Sequence, residues 1–488
     1  MKLQALATTV AAAAATLAWS AQAATSNSTS GLQSTQCISS SETSDQYATK
    51  GTVKYATLFT VEYQNTYKVL SDLSSNNTYV LYQCGSDKPS VSGAQAYIAV
   101  PVNTTASWST SVNVFLQALG VQNTLKNLGT ASSVVSPCLQ ELLEEVITPF
   151  NDSNETAADA QELSNNVVFN MVDGEYDNTT NTVFSSEYLE ASVLGRAEWL
   201  KFFAAFFNAE ERANDLFSQI ESNYECLASK AAADYNDIRP VVAWTSYAAP
   251  TEYNNNTAYW QISYADYKYE IVRDAGARML NTTGPDDTIF STAQAFLAAL
   301  KDVDIVIDES FVGYSYADLL TNYGISDSSS AGATYPWISA GRVFRPDRLQ
   351  STAGGSSWFE TPYVFADALL QDMIGVAHPG FVDDSAVQPI WFRNLAANDS
   401  VSVVTAANCT DMYAQLADPV QQCSSLDFLS ANPSDSVYAD VDENQTQDLV
   451  YDVSKSEIVG DDDSTKSSAH ILAPCLALAV SLAALLFV

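Results

Sequence analysis

The feature that most constrains the fold is an amphipathic stretch between Asn208 and Ala233. Asn208 is a favourable N-cap, and Glu211 three residues later completes a capping-box pattern. At about 1.5 Å per residue the helix would be roughly 38 Å long, enough to cross a small domain. We expect a single rigid helix that joins two α/β lobes, although a core helix of one large domain would show the same periodicity. Its apolar positions, spaced alternately by four and three residues as on one helix face, are Ala213, Phe217, Ile220, Tyr224, Leu227 and Ala231.

Alternating strand and helix patterns flank this stretch on both sides. In the first half, the short apolar run AYIAV at residues 96–100 is followed by a predicted helix at 109–119. In the second half, the strands PVVAWT (240–245) and VDIVI (303–307) alternate with helices, the last of which is predicted at 361–376. Such alternation predicts mainly parallel sheets in each half. The sequence therefore favours the α/β class.

Both ends of the chain carry targeting patterns. A lysine, an apolar run and small residues near a cleavage point predict a signal peptide over residues 1–23. An uncharged apolar run follows a polar spacer at the other end, which predicts a glycosylphosphatidylinositol (GPI) attachment signal over residues 464–488. Asp462 is our choice of attachment residue, and Gly460 is an alternative. A single membrane span without a cytoplasmic part would give a similar pattern.

Eleven Asn-x-Ser/Thr sequons fit the same secretory route. Together with the two targeting patterns they predict a glycoprotein on the extracellular face of a eukaryotic plasma membrane or in the cell wall. The asparagines are Asn27, Asn76, Asn103, Asn151, Asn154, Asn178, Asn255, Asn281, Asn398, Asn408 and Asn444.

The cysteines predict disulfides rather than a metal site. Six remain when Cys475 in the apolar tail is set aside, enough for three disulfides in an oxidising compartment. Cys409 and Cys423 are close in sequence and are predicted to pair. Among the others we favour Cys84–Cys138, while the sequence leaves the remaining pairings, including those of Cys37 and Cys226, open. No two cysteines have zinc-ligand spacing.

The net charge of −36 makes anionic partners unfavourable. Such a surface repels nucleic acid and anionic lipid headgroups. When the two terminal signals and the Asp-rich end of the acidic stalk are set aside, about 400 residues remain for folded structure. One hydrophobic core usually spans fewer, so two domains are expected. The sequon-rich insertion at 151–182 is predicted on the surface. The predicted segments are a signal peptide (1–23), a disordered Ser/Thr-rich segment (24–50), an N-terminal α/β lobe (51–208), the inter-lobe helix (209–233), a C-terminal α/β lobe (234–395), a Cys-containing acidic stalk (396–463) and the GPI signal (464–488).

Six stretches, taken in their order, resemble the class III periplasmic-binding-protein family, the solute receptors for siderophores, haem and cobalamin. The resemblance covers about residues 55–395. It implies two Rossmann-like lobes joined by a single long helix, with a ligand cleft between the lobes. The stretches are FTVEYQNTYKVL, AYIAVPVNTTASWSTSVNVFLQALG, LGRAEWLKFFAAFFNAEERA, YEIVRDAGARML, FLAALKDVDIVIDES and FADALLQDMIGVAHPGF.

The resemblance implies a receptor that captures a small ligand, such as an iron chelate or haem, without catalysis and without a cofactor. The expected partners are this ligand and a membrane, the latter through a GPI lipid, and the chain is expected to be monomeric. Bacterial members often carry a carboxylate in the first lobe for docking a permease. Asn113 and Val114 stand at the corresponding place, so the scaffold and the ligand-binding role carry over better than coupling to transport.

Ligand contacts in this architecture come from strand C-termini that face the cleft. Thr104 and Arg345 lie near the predicted positions and are secondary candidates. An arginine fork there suits a ligand carboxylate or phosphate, whereas tryptophans in such positions more often belong to the core. The expected ligand-binding residues are Thr105, Trp108, Trp244, Trp260, Glu309 and Arg342.

Two other function classes stay open. The 57 acidic residues allow many carboxylate pairs, so a glycoside hydrolase is possible on composition, and a wall-associated structural glycoprotein is the third class. A Ser-His-Asp hydrolase is disfavoured because His378 is the only histidine outside the C-terminal signal and no G-x-S-x-G elbow is present. We expect His378 to be structural, and Glu190, Arg196 and Glu198 to serve packing and salt bridges.

Overall fold

The structure is a computed structural model that describes residues 36–129, 131–150, 166–171, 181–235, 239–280, 288–311, 314–382, 387, 389–420, 422–426 and 428. The predicted signal peptide, the attachment residue Asp462 and the GPI signal lie outside the described residues. Within them, no helix has both the length and the apolar character needed to cross a membrane.

Two sheets build the first lobe. One contains β1 (Phe59–Tyr63), β2 (Tyr67–Asp72), β3 (Asn77–Gln83) and β4 (Ala96–Val100). These strands lie side by side in chain order, and only the β3–β4 pair is parallel. The other sheet contains β5 (Thr105–Ser107), β6 (Leu125–Leu128), β7 (Thr148–Pro149), β8 (Val167–Met171) and β9 (Thr182–Ser185). Its order is β7-β6-β5-β8-β9 and all its pairs are parallel.

Among the described residues of this lobe, four helices pack with the sheets: α1 (Thr110–Ala118), α2 (Pro137–Glu145), α3 (Val193–Glu198) and α4 (Leu200–Ala204). Helix α1 is the helix predicted at 109–119. The core of the lobe is rich in phenylalanine, with Phe203 stacked on Phe115 at 4.9 Å and edge-on to Phe169 at 5.5 Å between ring centroids. Such aromatic pairs contribute both buried area and a preferred geometry.

The prediction that residues 151–182 form a surface insertion is wrong for the part that the structure describes. Val167, Val168 and Phe169 belong to β8, which lies between β5 and β9 and is buried. The apolar run here is only three residues long and is surrounded by polar residues, so its strand character is weak in sequence. It becomes a strand because its neighbours supply hydrogen-bond partners on both sides.

Two buried carboxylates, Glu198 in α3 and Glu190 just before it, hold the chain segment that precedes β1. This agrees with the packing role expected for them. Glu198 accepts hydrogen bonds from the backbone N–H groups of Tyr55 (2.6 Å) and Ala56 (2.8 Å) and from Lys201 Nζ (2.6 Å). Glu190 accepts from the N–H of Leu58 at 2.8 Å. Buried charges of this kind are tolerated because several donors replace the lost water.

The long helix, α5 (Glu210–Asp234), confirms the predicted face, since all six apolar positions are buried. The predicted capping box is wrong. Ala209 occupies the N-cap, and Asn208 adopts a left-handed φ of 54°. The Asn208 side chain instead accepts a hydrogen bond from Lys68 Nζ (2.8 Å) and donates one to Gln83 (2.9 Å). Tertiary contacts to the first sheet therefore replace local capping.

A mixed sheet forms the second lobe. It contains β10 (Val241–Ala248), β11 (Tyr259–Ser263), β12 (Arg278–Met279), β13 (Thr288–Phe290), β14 (Ile305–Asp308), β15 (Val343–Arg345) and β17 (Arg393–Asn394). The order is β13-β11-β10-β14-β15-β17, with β12 also paired to β10. Strands β10, β14 and β15 are parallel, but β11, β13 and β17 are antiparallel to their neighbours, so the prediction of a mainly parallel sheet holds for only part of this one. A separate pair consists of β16 (Leu349–Ser351) and β18 (Ser402–Val404).

Helices surround this sheet: α6 (Asp266–Asp274), α7 (Ala293–Ala299), α8 (Tyr316–Asn322), α9 (Ser328–Gly332), α10 (Pro336–Ser339) and α11 (Ala366–Ala377). Helix α11 meets α5 through a 2.7 Å hydrogen bond from Asn223 to Asp367. The molecule thus has two α/β lobes joined by one long helix.

Residues expected to be disordered or to form a stalk are instead folded wherever the structure describes them. In the 24–50 segment, residues 36–50 are described, and Tyr47 in this part is completely buried. In the 396–463 segment, residues 396–420 and 422–426 pack on both lobes. We call these residues the strap. The strap lacks apolar patterning because its composition is polar. Long-range hydrogen bonds and two disulfides fix it to the rest of the molecule instead.

Both predicted disulfide pairings, Cys409–Cys423 and Cys84–Cys138, are wrong. The structure pairs Cys37 with Cys84, Cys138 with Cys409 and Cys226 with Cys423. The last two close sequence separations of 271 and 197 residues. Proximity along the chain failed as a guide because the strap crosses the molecule between Cys409 and Cys423.

Candidate ligand-binding site

The two lobes meet where the parallel strands of the first lobe end. Thr110 lies three residues after Ser107, the last residue of β5. Its Oγ1 donates to the carbonyl oxygen of Phe359 at 2.9 Å. The Val135 N–H donates to Glu360 Oε1 at 3.0 Å. Both acceptors belong to the second-lobe loop between β16 and α11. This loop bridges the cleft between the lobes.

The base of the cleft is filled by packed side chains. Trp244 is fully buried and stacks with Trp358 at 5.8 Å between ring centroids. Lys268 Nζ lies 5.0 Å from the Trp244 ring and forms an ion pair with Glu309. On the first-lobe side, Arg196 lies over the Tyr267 ring at 3.6 Å. The candidate Trp244 is therefore a core residue, and any ligand would bind above it.

Three exposed aromatic residues lie next to this filled base, and we call them the aromatic ledge: Phe311, Tyr314 and Phe359. Their exposed fractions are 41%, 57% and 47%. The rings of Phe311 and Phe359 are nearly parallel, with an interplanar angle of 10° and a centroid distance of 6.2 Å. Neighbouring exposed aromatic rings of this kind are typical of interaction sites.

Two of the predicted site residues lie at the same strand ends as the ledge. Trp108 follows β5, is partly exposed and packs against Phe150 at 4.9 Å and over Gly129. Glu309 follows β14, and its side chain keeps 21% exposure beside Lys268. The carboxyl end of β14 thus supplies both Glu309 and the start of the ledge.

The other predicted residues contribute to the fold, and we do not place them in the site. Thr105 is buried in the sheet, where its Oγ1 lies 3.1 Å from Thr124 Oγ1. Trp260 donates from Nε1 to the Asn322 carbonyl oxygen at 2.8 Å. Arg342 donates to the Val376 carbonyl oxygen at 2.6 Å, at the end of α11. A cation at a helix C-terminus stabilises the helix.

Sequence reasoning missed the aromatic ledge. Phe311 stands three residues after the end of β14, so its position was available from the rule that ligands bind near strand ends. Phe359 lies in GGSSWFE, at the end of the first of two short 3₁₀ turns, where no apolar periodicity marks it. An exposed aromatic residue and a core aromatic residue look the same in sequence, and only the fold separates them.

The carboxyl groups near the cleft are already held by the protein. Asp308 forms a buried ion pair with Arg345, and Glu309 pairs with Lys268. Glu360 is buried against Val135, and burial raises the pKa of Glu360 to about 8, although hydrogen bonds from the N–H groups of Val135 and Ser136 oppose the shift. These three groups do not form the free acid–base pair that glycoside hydrolysis needs.

Neither histidine catalysis nor a metal centre is supported within the described part of the chain. His378 stacks on Tyr235 at 3.8 Å, and its Nε2 lies 3.1 Å from the Gly276 carbonyl oxygen. Burial lowers the pKa of His378 to about 4. No group of three or more His, Cys, Asp or Glu side chains there has the arrangement of a metal site.

A separate cavity of about 390 Å³ lies at the opposite edge of the parallel sheet. Its lining includes Thr104, Asn166 and Asn181, which precede β5, β8 and β9, and the disulfide Cys37–Cys84. Trp108 lies at the other end of β5. The secondary candidate Thr104 therefore faces this cavity and not the cleft.

Comparisons with known proteins concern the fold. No family model matches the chain. An uncharacterized lipoprotein of Methanocaldococcus jannaschii is 25% identical over 203 residues, which are 40% of this chain and 42% of that protein, so the chain spans less than half of its relative's length.

Solved structures that resemble this fold are periplasmic binding proteins. One from Veillonella parvula has a TM-score of 0.42 and 11% identity, covering 66% of this chain and 98% of its own. A periplasmic heme-binding protein from Pseudomonas aeruginosa has a TM-score of 0.39 and 14% identity, covering 57% and 93%. A periplasmic heme-binding protein from Vibrio cholerae has a TM-score of 0.42 and 11% identity, covering 57% of this chain and 99% of its own. Similarity at this level does not identify a ligand for the present chain.

The buried Glu360 carboxyl predicts a pH dependence of stability. The folded protein keeps its proton up to about pH 8, whereas the unfolded chain releases it near pH 4.3, so the free energy of unfolding falls as pH rises through this window. Glu360→Gln removes this ionisation. We expect the variant to gain up to a few kcal/mol over the wild type between about pH 5 and pH 8.5.

Urea unfolding at several pH values measures this difference. The matched control is Glu62→Gln, which changes an exposed carboxyl on β1 and should leave the pH profile unaltered. A constant offset between Glu360→Gln and the wild type at every pH would contradict the prediction.

Proposed function

We propose that the protein is a non-catalytic solute-binding protein that captures a small ligand at the aromatic ledge. The observation that carries this proposal is the parallel, exposed pair Phe311 and Phe359 at the junction of the two lobes. Trp108 on the first lobe and Glu309 on the second lie at the strand ends beside this junction. Convergence of exposed aromatic rings and a few polar groups is the usual composition of a small-molecule site.

The chemistry of the ledge favours a ligand with a flat apolar face. Phe311, Tyr314 and Phe359 offer ring surfaces, and stacking on such rings contributes about 0.5–1.5 kcal/mol beyond area burial. Haem or an aromatic iron chelate has such a face. The positive charges near the site, on Lys268, Arg345 and Arg393, are engaged with Glu309, Asp308 and Asp347. Stacking, rather than a new ion pair, would then supply most of the affinity.

Two other functions are less well supported. A glycoside hydrolase would need two free carboxyl groups at the cleft, whereas Asp308, Glu309 and Glu360 are engaged as described above. A structural glycoprotein fits the packed base of the cleft around Trp244, but it gives no reason for the exposed rings of Phe311 and Phe359.

We further propose that the protein is secreted, glycosylated and GPI-anchored as a monomer on the cell surface. All five sequon asparagines in the described residues are exposed, which allows glycosylation; they are Asn76, Asn103, Asn255, Asn398 and Asn408. Phosphatidylinositol-specific phospholipase should release the protein from intact cells. Its retention after effective lipase treatment would indicate a protein span instead.

Ligand binding can be tested with the purified ectodomain. Haem, ferric chelates, corrinoids and metal cations are screened by thermal shift and by tryptophan fluorescence, and we expect one class to bind without turnover. Phe359→Ala should weaken binding of that compound about tenfold, equivalent to about 1.4 kcal/mol.

Tyr253→Ala is the matched control, because Tyr253 is 58% exposed on another loop of the second lobe. Equal affinities of Phe359→Ala and Tyr253→Ala would remove the ledge from the site. Robust hydrolysis of a glycan that one carboxylate substitution abolishes would overturn the binding function itself.

A further inference from the structure

The strap makes a second connection between the lobes in addition to α5. Its strand β18 pairs with β16, from Leu349↔Ser402 to Ser351↔Val404, and so belongs to the second lobe. The N–H of Arg348, just before β16, donates to the Trp391 carbonyl oxygen at 2.9 Å, which ties this strand pair to the chain leading into β17. This end of the strap is therefore fixed to the second lobe.

The next part of the strap is bonded covalently to the first lobe. Cys409 forms a disulfide with Cys138, which lies in the first turn of α2. Cys409 is only five positions after Val404, the end of β18. At about 3.5 Å per extended residue this link can span roughly 17 Å at most. A 3₁₀ turn at Ala406–Asn408 shortens it further.

Hydrogen bonds hold the following residues along α1. The Leu416 N–H donates to the Gln117 carbonyl oxygen at 3.0 Å, and Gln415 Nε2 donates to the Ala118 carbonyl oxygen at 2.7 Å. Gln122 Nε2 donates to the Ala414 carbonyl oxygen at 2.8 Å. The strap thus donates to two carbonyl oxygens at the end of α1, of which that of Gln117 also accepts from the Gly120 N–H.

We propose that the strap is a tether that limits how far the two lobes can separate and so sets the maximum width of the cleft. The Cys138–Cys409 disulfide is the bond that spans the lobes, because the chain on its Cys409 side is fixed by β18 to the second lobe. Opening beyond the reach of residues 405–409 requires loss of either this disulfide or the β16–β18 pair. The inference does not depend on the identity of a ligand.

The other two disulfides provide internal controls. Cys37–Cys84 lies within the first lobe, so its removal should not alter the distance between lobes. Cys226–Cys423 joins the end of the strap to α5, where Lys230 Nζ also donates to the Leu426 carbonyl oxygen at 2.6 Å. This bond lies beyond the part of the strap that crosses between lobes.

Distances between the lobes of the ligand-free protein test the tether. Spin labels carried by unnatural amino acids replace the exposed Glu62 in the first lobe and Glu252 in the second. Pulsed electron paramagnetic resonance should give a narrow distribution for the wild type and for Cys37→Ser/Cys84→Ser. Cys138→Ser/Cys409→Ser should add longer distances and at least double the width.

A second sample guards against misfolding of the cysteine variant. A protease site inserted after Ala407, in the exposed 3₁₀ turn between β18 and Cys409, is cut only after folding, and the cut separates β18 from the Cys138–Cys409 disulfide. We expect the cut protein to broaden the distribution in the same direction. Wild-type distributions in both the cut protein and the folded Cys138→Ser/Cys409→Ser variant would overturn the proposal.

Discussion

The buried face of α5 is the constraint on which the rest of the structure depends. Ile220 and Leu227 are fully buried and Tyr224 is 4% exposed, and each large apolar side chain contributes about 1.5–3 kcal/mol by leaving water. Bending the helix would expose several of them at once and break backbone hydrogen bonds. A buried ion pair between Lys68 and Glu210 fixes the first turn of α5 to the first sheet. The helix itself therefore has no soft joint, and any change in the distance between the lobes must come from movement of the second lobe against α5, which the strap limits.

Because α5 is rigid and the strap limits movement of the second lobe against it, the contacts above the packed base of the cleft are preformed. Trp244 and Trp358 fill the base, and the ledge rings of Phe311 and Phe359 already lie nearly parallel to each other. Preformed contacts reduce the entropy lost when a ligand binds. Selectivity would then depend on ring surface and on the polar groups near Glu309, and little on closure of the lobes.

The sequence predicted what local patterns encode. The buried face of α5 and strands β10 and β14 follow from apolar periodicity, which needs no knowledge of distant residues. The Asn208 cap failed because Lys68, 140 residues earlier, binds the Asn208 side chain. The predictions of the disulfide pairings and of an acidic stalk were wrong for the same reason, since polar composition does not reveal long-range contacts. Of the site, the sequence located the strand ends at Trp108 and Glu309 but not the exposed rings.

The claim that the cleft is preformed is tested most directly by the distance between the two lobes with and without a bound compound. The wild-type protein carries distance labels at Glu62 and Glu252, and the compound is the haem or ferric chelate that binds in the screen. A rigid α5 predicts a shift of only a few ångströms in the mean distance and an unchanged width. A rotation of the lobes by tens of degrees would contradict the account, because α5 would then not be the rigid element.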